Sequence, residues 1–227
     1  MSLEAALRVS ELLLAVATLQ QCAEHLTASS RFERSIFALR GALALLLLSG
    51  FFPEITLLAL VAISIVCLLH FDGVYNGGSD RMGLLILWIL CAARLAPTPL
   101  LAEVFFGYLG LQLVLSDAIS GWVKLRNDAW RSGAALQDVF AFSAYPVSRS
   151  VRNLAKQPRL ILMGSWTVIL FEALFPLSVL SLPLLLIALL FGFGFHLANA
   201  CLFGLNRFVW VWLAAHPSLI WLQMRLF

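Results

Sequence analysis

Three polar residues at the end of an apolar stretch carry the most distinctive chemistry of this sequence. Asp117, Ser120 and Lys124 are spaced i, i+3 and i+7, so a helix places all three on one face. Ionisable side chains at membrane depth are costly and need a partner or a function. Two interpretations follow. Either Lys124 reaches the membrane interface and Asp117 neutralises it, or Lys124 takes part in proton chemistry.

The composition indicates whether these residues lie in water or in a lipid bilayer. Of the 227 residues, 62% are hydrophobic and 12% are charged, and the mean hydropathy is +0.95. A water-soluble domain of this length does not have such a composition. We therefore expect an all-α integral membrane protein that forms a single domain, residues 1–227, in the lipid bilayer.

Apolar segments separated by charged or proline-containing turns predict the helices. They run at about 3–26, 35–51, 55–70, 82–96, 101–124, 160–175, 177–200 and 208–222. Pro176 and Pro183 bend or divide the region 160–200, so the prediction is a polytopic bundle of seven or eight transmembrane helices. Residues 125–158 are too polar to cross a bilayer and form the largest extramembrane element, which is basic. Trp210, Trp212 and Trp221 in the last helix suggest an interfacial belt.

The cysteines and the absence of short catalytic motifs narrow the chemistry. Cys22, Cys67, Cys91 and Cys201 occur singly in apolar stretches, so we interpret them as buried small hydrophobes. The sequence contains no CxxC pair, Walker loop, GxGxxG, GxSxG or HExxH. We expect no metal and no nucleic-acid partner.

Alternation of the helices brings distant polar groups to one membrane face. If each helix crosses once, that face collects residues 24–34, the loop 70–81, Lys124 with 125–158, and residues 196–199. Of the 15 Lys and Arg residues, all but Arg8, Arg94 and Arg225 fall there. The positive-inside rule makes this face cytoplasmic, although a basic pocket for an anionic substrate leaves the same signature.

Two motifs in this arrangement match a known pattern. The segment Asp117-Ala-Ile-Ser-Gly-Trp-Val-Lys-Leu-Arg-Asn-Asp-Ala-Trp-Arg-Ser-Gly133 is similar to Ile-Ala-Gly-Val-Lys-Lys-Leu…Trp…Gly, and Phe195-His-Leu-Ala-Asn-Ala-Cys-Leu-Phe203 is similar to Phe-His-x-x-Asn-x-x-Leu-Phe. Both patterns belong to the membrane domain of vitamin K-dependent gamma-carboxylases and the related bacterial HTTM (horizontally transferred transmembrane) proteins. The chain resembles this family over nearly its whole length, which implies a location in the bacterial inner (cytoplasmic) membrane.

The resemblance implies a chemistry for the site. Lys124 matches the lysine that deprotonates a reduced naphthoquinone, in a reaction with oxygen that leads to carboxylation of a glutamate. A lysine in a low-dielectric site loses its proton more readily, which suits that role. His196 and Asn199, one helical turn apart, are the groups expected to orient the quinone oxygens. The expected substrate-binding residues are Asp80, Arg81, Asp117 and Trp130.

Departures from the family pattern keep a second hypothesis open. Gly78 stands where the carboxylases carry a histidine, and Asp117 stands where they carry an aromatic residue and favours a protonated Lys124. The lumenal substrate-binding domain of the carboxylases has no counterpart here, so we expect a protein partner in a multisubunit membrane complex. The chain is then either a quinol-dependent enzyme or a non-catalytic transmembrane subunit. Glu172 is either a proton or substrate group or a helix–helix hydrogen bond.

Overall fold

The computed structural model describes residues 1–70, 77–143 and 147–227, and that part of the chain forms helices and turns without a strand. The α-helices are α1 Leu3–His25, α2 Arg31–Ser49, α3 Pro53–His70, α4 Gly77–Arg94, α5 Pro99–Arg126, α6 Asp128–Arg131, α7 Ala134–Phe142, α8 Arg149–Asn153, α9 Pro158–Leu174, α10 Leu182–Phe203 and α11 Asn206–Leu226. Two 3₁₀ helices, Leu154–Lys156 and Phe175–Leu180, follow α8 and α9. The all-α prediction is confirmed.

Within the described part of the chain, four helical segments are long and apolar enough to cross a membrane. They are Pro53–His70, Pro99–Arg126, Pro158–Leu180 and Leu182–Phe203. Each has at least 18 residues, which is close to the length that the hydrocarbon core of a bilayer requires. The chain is therefore compatible with integration into a membrane.

Serine, proline and glycine set the helix ends. The side chains of Ser30 and Ser181 accept hydrogen bonds from the first-turn N–H groups of α2 and α10, and Gly50 and Gly204 end these helices with positive φ angles. Pro183 lies in the first turn of α10, where a missing N–H costs nothing, so it starts a helix and does not bend one.

The structure contains the predicted division near Pro176, but the predicted loop 70–81 is shorter than expected. The helix α9 ends at Leu174, and the 3₁₀ helix Phe175–Leu180 separates it from α10, which confirms the division. The loop prediction is too long, because the chain is already helical from Gly77. Residues 71–76 of that loop, and 144–146 of the basic segment 125–158, lie outside the described residues.

The described chain divides into two compact units. The first unit consists of Met1–Gly110 with Arg207–Leu226, and the second of Leu111–Asn206 with Phe227. In the first unit, α1 packs along α2, and α2, α3 and α4 pack in sequence. In the second, α7 packs against α6, α8 and α9, while α10 packs against the 3₁₀ helix Phe175–Leu180.

The tryptophan belt predicted for α11 is wrong for Trp221. This side chain is buried in the first unit, and its ring meets the edge of Phe106 at a centroid distance of 5.8 Å. A Cβ at Gly110 would lie 3.0 Å from Ser218 O, which shows how closely α5 and α11 approach there. Tryptophan content alone did not reveal that this face of α11 is a packing face.

Candidate functional site

Lys124 and Glu172 form a buried ion pair in the second unit. Lys124 lies near the end of α5 and Glu172 near the end of α9, and Lys124 Nζ donates to Glu172 Oε2 at 2.6 Å. The side chains are 18% and 9% exposed. Asp117 is close enough to interact electrostatically with both. The hydrogen-bonded partner of Lys124 is thus Glu172, and the prediction that Asp117 fills this role is corrected. Glu172 makes a helix–helix hydrogen bond, one of its two predicted roles.

A glycine allows the two helices to come this close. Gly121 lies one turn before Lys124 on α5, and a Cβ built there would be 2.6 Å from Ala173 Cα, well inside van der Waals contact. The obstacle is backbone, which cannot rotate away as a side chain can. Gly121 therefore permits the contact between α5 and α9 that brings Lys124 within reach of Glu172.

The short helix α6 places an aromatic ring beside the ammonium group. Lys124 Nζ is 5.2 Å from the centre of the Trp130 ring, which is cation–π distance. Two hydrogen bonds fix α6 on α9: Ser165 Oγ donates to Trp130 O, and Trp166 Nε1 donates to Arg131 O at 3.1 Å. Trp130, which the sequence analysis names as a substrate-binding residue, thus lies beside Lys124. We call Asp117, Lys124, Trp130 and Glu172 the lysine cluster.

The other two predicted catalytic residues are on α10 of the same unit. His196 and Asn199 are half-buried and one helical turn apart, and the His196 ring meets Phe195 edge-on at 5.4 Å. They remain predicted members of the site. The helix α10 is apolar around its whole circumference, so its sequence marks no face that points towards a site.

Asp80 and Arg81 belong to the first unit, where Asp80 has partners that sequence reasoning missed. Asp80 Oδ1 accepts a hydrogen bond from Gln21 Nε2 at 2.8 Å and lies 3.5 Å from Arg207 Nη1. Gln21 Oε1 in turn accepts from Arg40 Nη1 at 2.6 Å. Arg81 is exposed. The only signal for this network was Arg40 itself, a charge inside the apolar run of α2.

Arg40 is the most buried cation of that network. Its side chain is buried, and taking a charged group out of water is costly. An arginine nevertheless keeps its charge in proteins, so α2 carries a positive charge into the interior of the first unit.

A second buried ionic group ties α1 to α4. Glu11 is fully buried and accepts from Arg94 Nε at 2.6 Å and from Arg8 Nη1 at 3.2 Å. Arg8 also donates to Leu47 O and Leu48 O at the end of α2. These hydrogen bonds satisfy backbone carbonyl groups that have no donor within the helix at its C-terminal end. Sequence reasoning noted Arg8 and Arg94 only as charges away from the basic face.

The described residues contain no group of three or more His, Cys, Asp or Glu that could hold a metal ion. Comparison of the chain with family models, with curated proteins and with solved structures finds no match in any of the three.

Proposed function

We propose that this chain is a carboxylase-like membrane protein in which Lys124 and Glu172 act together as the proton acceptor for a hydrophobic, weakly acidic cosubstrate such as a reduced naphthoquinone. The observation that supports this proposal is the 2.6 Å contact between Lys124 Nζ and Glu172 Oε2. The two motifs that resemble the gamma-carboxylases support the choice of cosubstrate.

The contact gives Lys124 a way to become a base. An ammonium and a carboxylate in a low-dielectric setting convert to a neutral amine and a neutral acid when one proton crosses the hydrogen bond. The neutral amine can then take the hydroxyl proton of a quinol and become ammonium again. Asp117 adds a second acid that is close enough to interact electrostatically with the amine.

The chemistry of Trp130 and of the predicted residues His196 and Asn199 suits a flat, oxygen-bearing ring. The indole of Trp130, which already lies beside the amine, offers a stacking surface, and its position on α6 is fixed by Ser165. His196 and Asn199 supply a ring nitrogen and an amide that can hydrogen-bond the oxygens of the cosubstrate. The cosubstrate, when bound, supplies the reducing equivalents that oxygen consumes.

The membrane arrangement belongs to the same proposal. Besides the four apolar segments, we propose that α1, α2, α4 and α11, which each have at least 18 residues, also cross the membrane. We propose a bacterial inner membrane as the location, with the basic segment 125–158 facing a protein partner of the complex.

Oxygen consumption by the purified protein in lipid nanodiscs, with a reduced naphthoquinone as the probe, tests the enzyme. Lys124→Ala should abolish consumption and Glu172→Gln should lower it, because each removes one partner of the proposed proton acceptor. Lys156→Ala, at an exposed lysine in the same unit, is the matched control and should leave the rate unchanged. A wild-type protein that neither binds the quinol nor consumes oxygen would refute the proposal.

A non-catalytic subunit is the second candidate, and a specific observation favours it. Lys124 is already engaged by Glu172 and Trp130, and these contacts join α5, α6 and α9 as a structural brace would. In that case the chain should copurify in fixed stoichiometry with another membrane or peripheral protein, which native mass spectrometry detects. Lys124→Ala should then lower the recovery of the complex and affect no quinol-dependent rate.

A further inference from the structure

A small polar cavity lies within the first unit, between side chains of α1, α2, α4 and α11. Its volume is about 20 Å³, which is enough for one water molecule or a slightly larger ion. The polar residues that line it are Thr18, Gln21, Arg40, Ser79, Asp80 and Arg207. Two of its walls therefore carry a guanidinium group.

Arg40 enters this cavity without an ion pair to any carboxylate of the described residues. The side chain is 8% exposed, and its one hydrogen bond to the described residues runs from Nη1 to Gln21 Oε1. Its Nε is buried without an acceptor among these residues, and none of their carboxylates forms an ion pair with it. A buried cation with so few acceptors is costly unless a further anionic group is present.

Arg207 adds a second positive charge that is shared between two acids. Its Nε donates to Glu24 Oε2 at 2.8 Å, and its Nη1 lies 3.5 Å from Asp80 Oδ1. Glu24 is not part of the cavity wall, whereas Asp80 is. Arg207 is thus paired with two acids, and Arg40 is the cation of the wall that forms no ion pair with a carboxylate of the described residues.

Gln21 fixes the relative positions of Arg40 and Asp80. Its amide oxygen accepts from Arg40 and its amide nitrogen donates to Asp80 at 2.8 Å, so both ends of the amide are used. Gln21 therefore cannot supply the missing negative charge, but it fixes the distance between the Arg40 guanidinium and Asp80. A water molecule would fill the space without supplying a counter-charge to Arg40.

We propose that this cavity is a binding site for one small monovalent anion, of the size of chloride or bicarbonate, held by Arg40 and Arg207. Two guanidinium groups exclude a cation, and the small volume excludes sugar acids and lipid phosphates. Charge-assisted hydrogen bonds from two arginines favour a planar or spherical anion over water. The site is independent of the lysine cluster and of the function proposed for it.

Thermal unfolding of the whole protein in nanodiscs tests the site, with sodium chloride or sodium bicarbonate replacing sodium gluconate at constant ionic strength. At least one of the two small anions should raise the melting temperature of the wild type in a saturable way, because a ligand that binds only the folded state stabilises it by mass action. Gluconate is the reference because it is too large for the cavity.

Variants with opposite expected effects on anion affinity distinguish binding at this site from a general effect of salt. Arg207→Gln and Arg40→Gln should each weaken anion binding about tenfold or more, since each removes a charge-assisted hydrogen bond. Asp80→Asn should strengthen it, because the hydrogen bond from Gln21 remains while the competing carboxylate is lost. Arg225→Gln is the matched control and should bind as the wild type does, because Arg225 is exposed and pairs with Glu103 elsewhere in the unit.

The outcomes that overturn the proposal are equally definite. Equal melting temperatures of the wild type in all three salts would show that only water occupies the cavity. Weaker binding by Asp80→Asn, or the same weakening by Arg225→Gln as by Arg207→Gln, would also refute it. If Arg40→Gln does not fold, the Asp80→Asn and Arg207→Gln variants decide the question without it.

Discussion

Lys124 and Glu172 are 48 positions apart in the chain, yet their charged groups are 2.6 Å apart across α5 and α9. Both side chains are largely shielded from solvent. Asp117 adds a second carboxylate, so the lysine cluster contains two acids and one amine. Removal of the amine and removal of Glu172 therefore leave different charge imbalances, and their effects on stability should differ.

Lys124→Met should lower the free energy of unfolding by about 3–5 kcal/mol, because it leaves Glu172 and Asp117 without a cation. Glu172→Leu should cost less, since Lys124 can still interact with Asp117. The double variant should recover part of the loss, because only Asp117 then remains without a cation. Unfolding in mixed micelles with increasing dodecyl sulfate measures all three.

The exposed pair Arg131 and Asp128 in the same unit is the control for that series. These side chains are 49% and 88% exposed, so single changes should alter stability by about 0–1 kcal/mol. Additive losses in the Lys124 and Glu172 double variant would show that the two side chains do not stabilise the fold as a pair.

Gly121→Ala should destabilise the second unit by about 1–3 kcal/mol, the usual range for overpacking. The added methyl group would meet the backbone of Ala173, and the helices must separate to admit it. Quinol-dependent activity should fall with it, because the separation lengthens the distance between Lys124 Nζ and Glu172 Oε2. The melting temperature and the oxygen consumption rate of one preparation report both effects.

Gly194→Ala is the matched helical control. A Cβ at Gly194 has no neighbouring atom within 4 Å, so this change should be neutral or stabilising by about 0.5–1 kcal/mol through the backbone entropy of the unfolded chain. Equal losses for the two glycine variants would mean that helix α5 does not approach α9 as closely as described.

The helix limits could be predicted from the sequence because residues at the helix ends determine where each helix begins and stops. Proline, glycine and serine stand at the ends of α2, α3, α5 and α10, and the apolar runs between them are long. The face shared by Asp117 and Lys124 also followed from helical periodicity. These are interactions within one helix, which spacing alone determines.

The partners across helices could not be predicted in this way. Glu172 was recognised as an unusual acid in an apolar helix, but the helix that it faces depends on how α9 packs, and one sequence contains no signal for that. The same holds for Arg40 and Gln21 on α2 and α1. In uniformly apolar helices every face looks alike, so hydrophobicity does not indicate which side is packed against protein.

Glu11→Leu should be among the most destabilising single changes in the first unit, with a loss of about 3–5 kcal/mol. Glu11 is fully buried and compensates both Arg94 and Arg8, so its removal leaves two cations with one exposed acid, Glu4. Denaturant unfolding measures the loss. Glu103→Leu is the control, because its partner Arg225 is 63% exposed and the pair should contribute at most about 1 kcal/mol.

The thiols give a test of the packing that needs no assay of function. Cys22, Cys67 and Cys91 are buried as expected from their apolar surroundings, but Cys201 is exposed, which corrects the prediction for that residue. It lies near the end of α10, an evenly apolar helix whose sequence does not distinguish a packed side from an open one.

N-ethylmaleimide should therefore modify Cys201 first in the folded protein in mild detergent, and all four thiols only after denaturation in dodecyl sulfate. Cys22 is the least exposed of the four thiols, at 3%, so it should react slowest. Peptide mass spectrometry over a time course gives the order of modification. Cys201→Ser should remove the fast phase, whereas Cys91→Ser should leave it intact. Modification of Cys22 or Cys91 before Cys201 would contradict the packing of α1 and α4 described above.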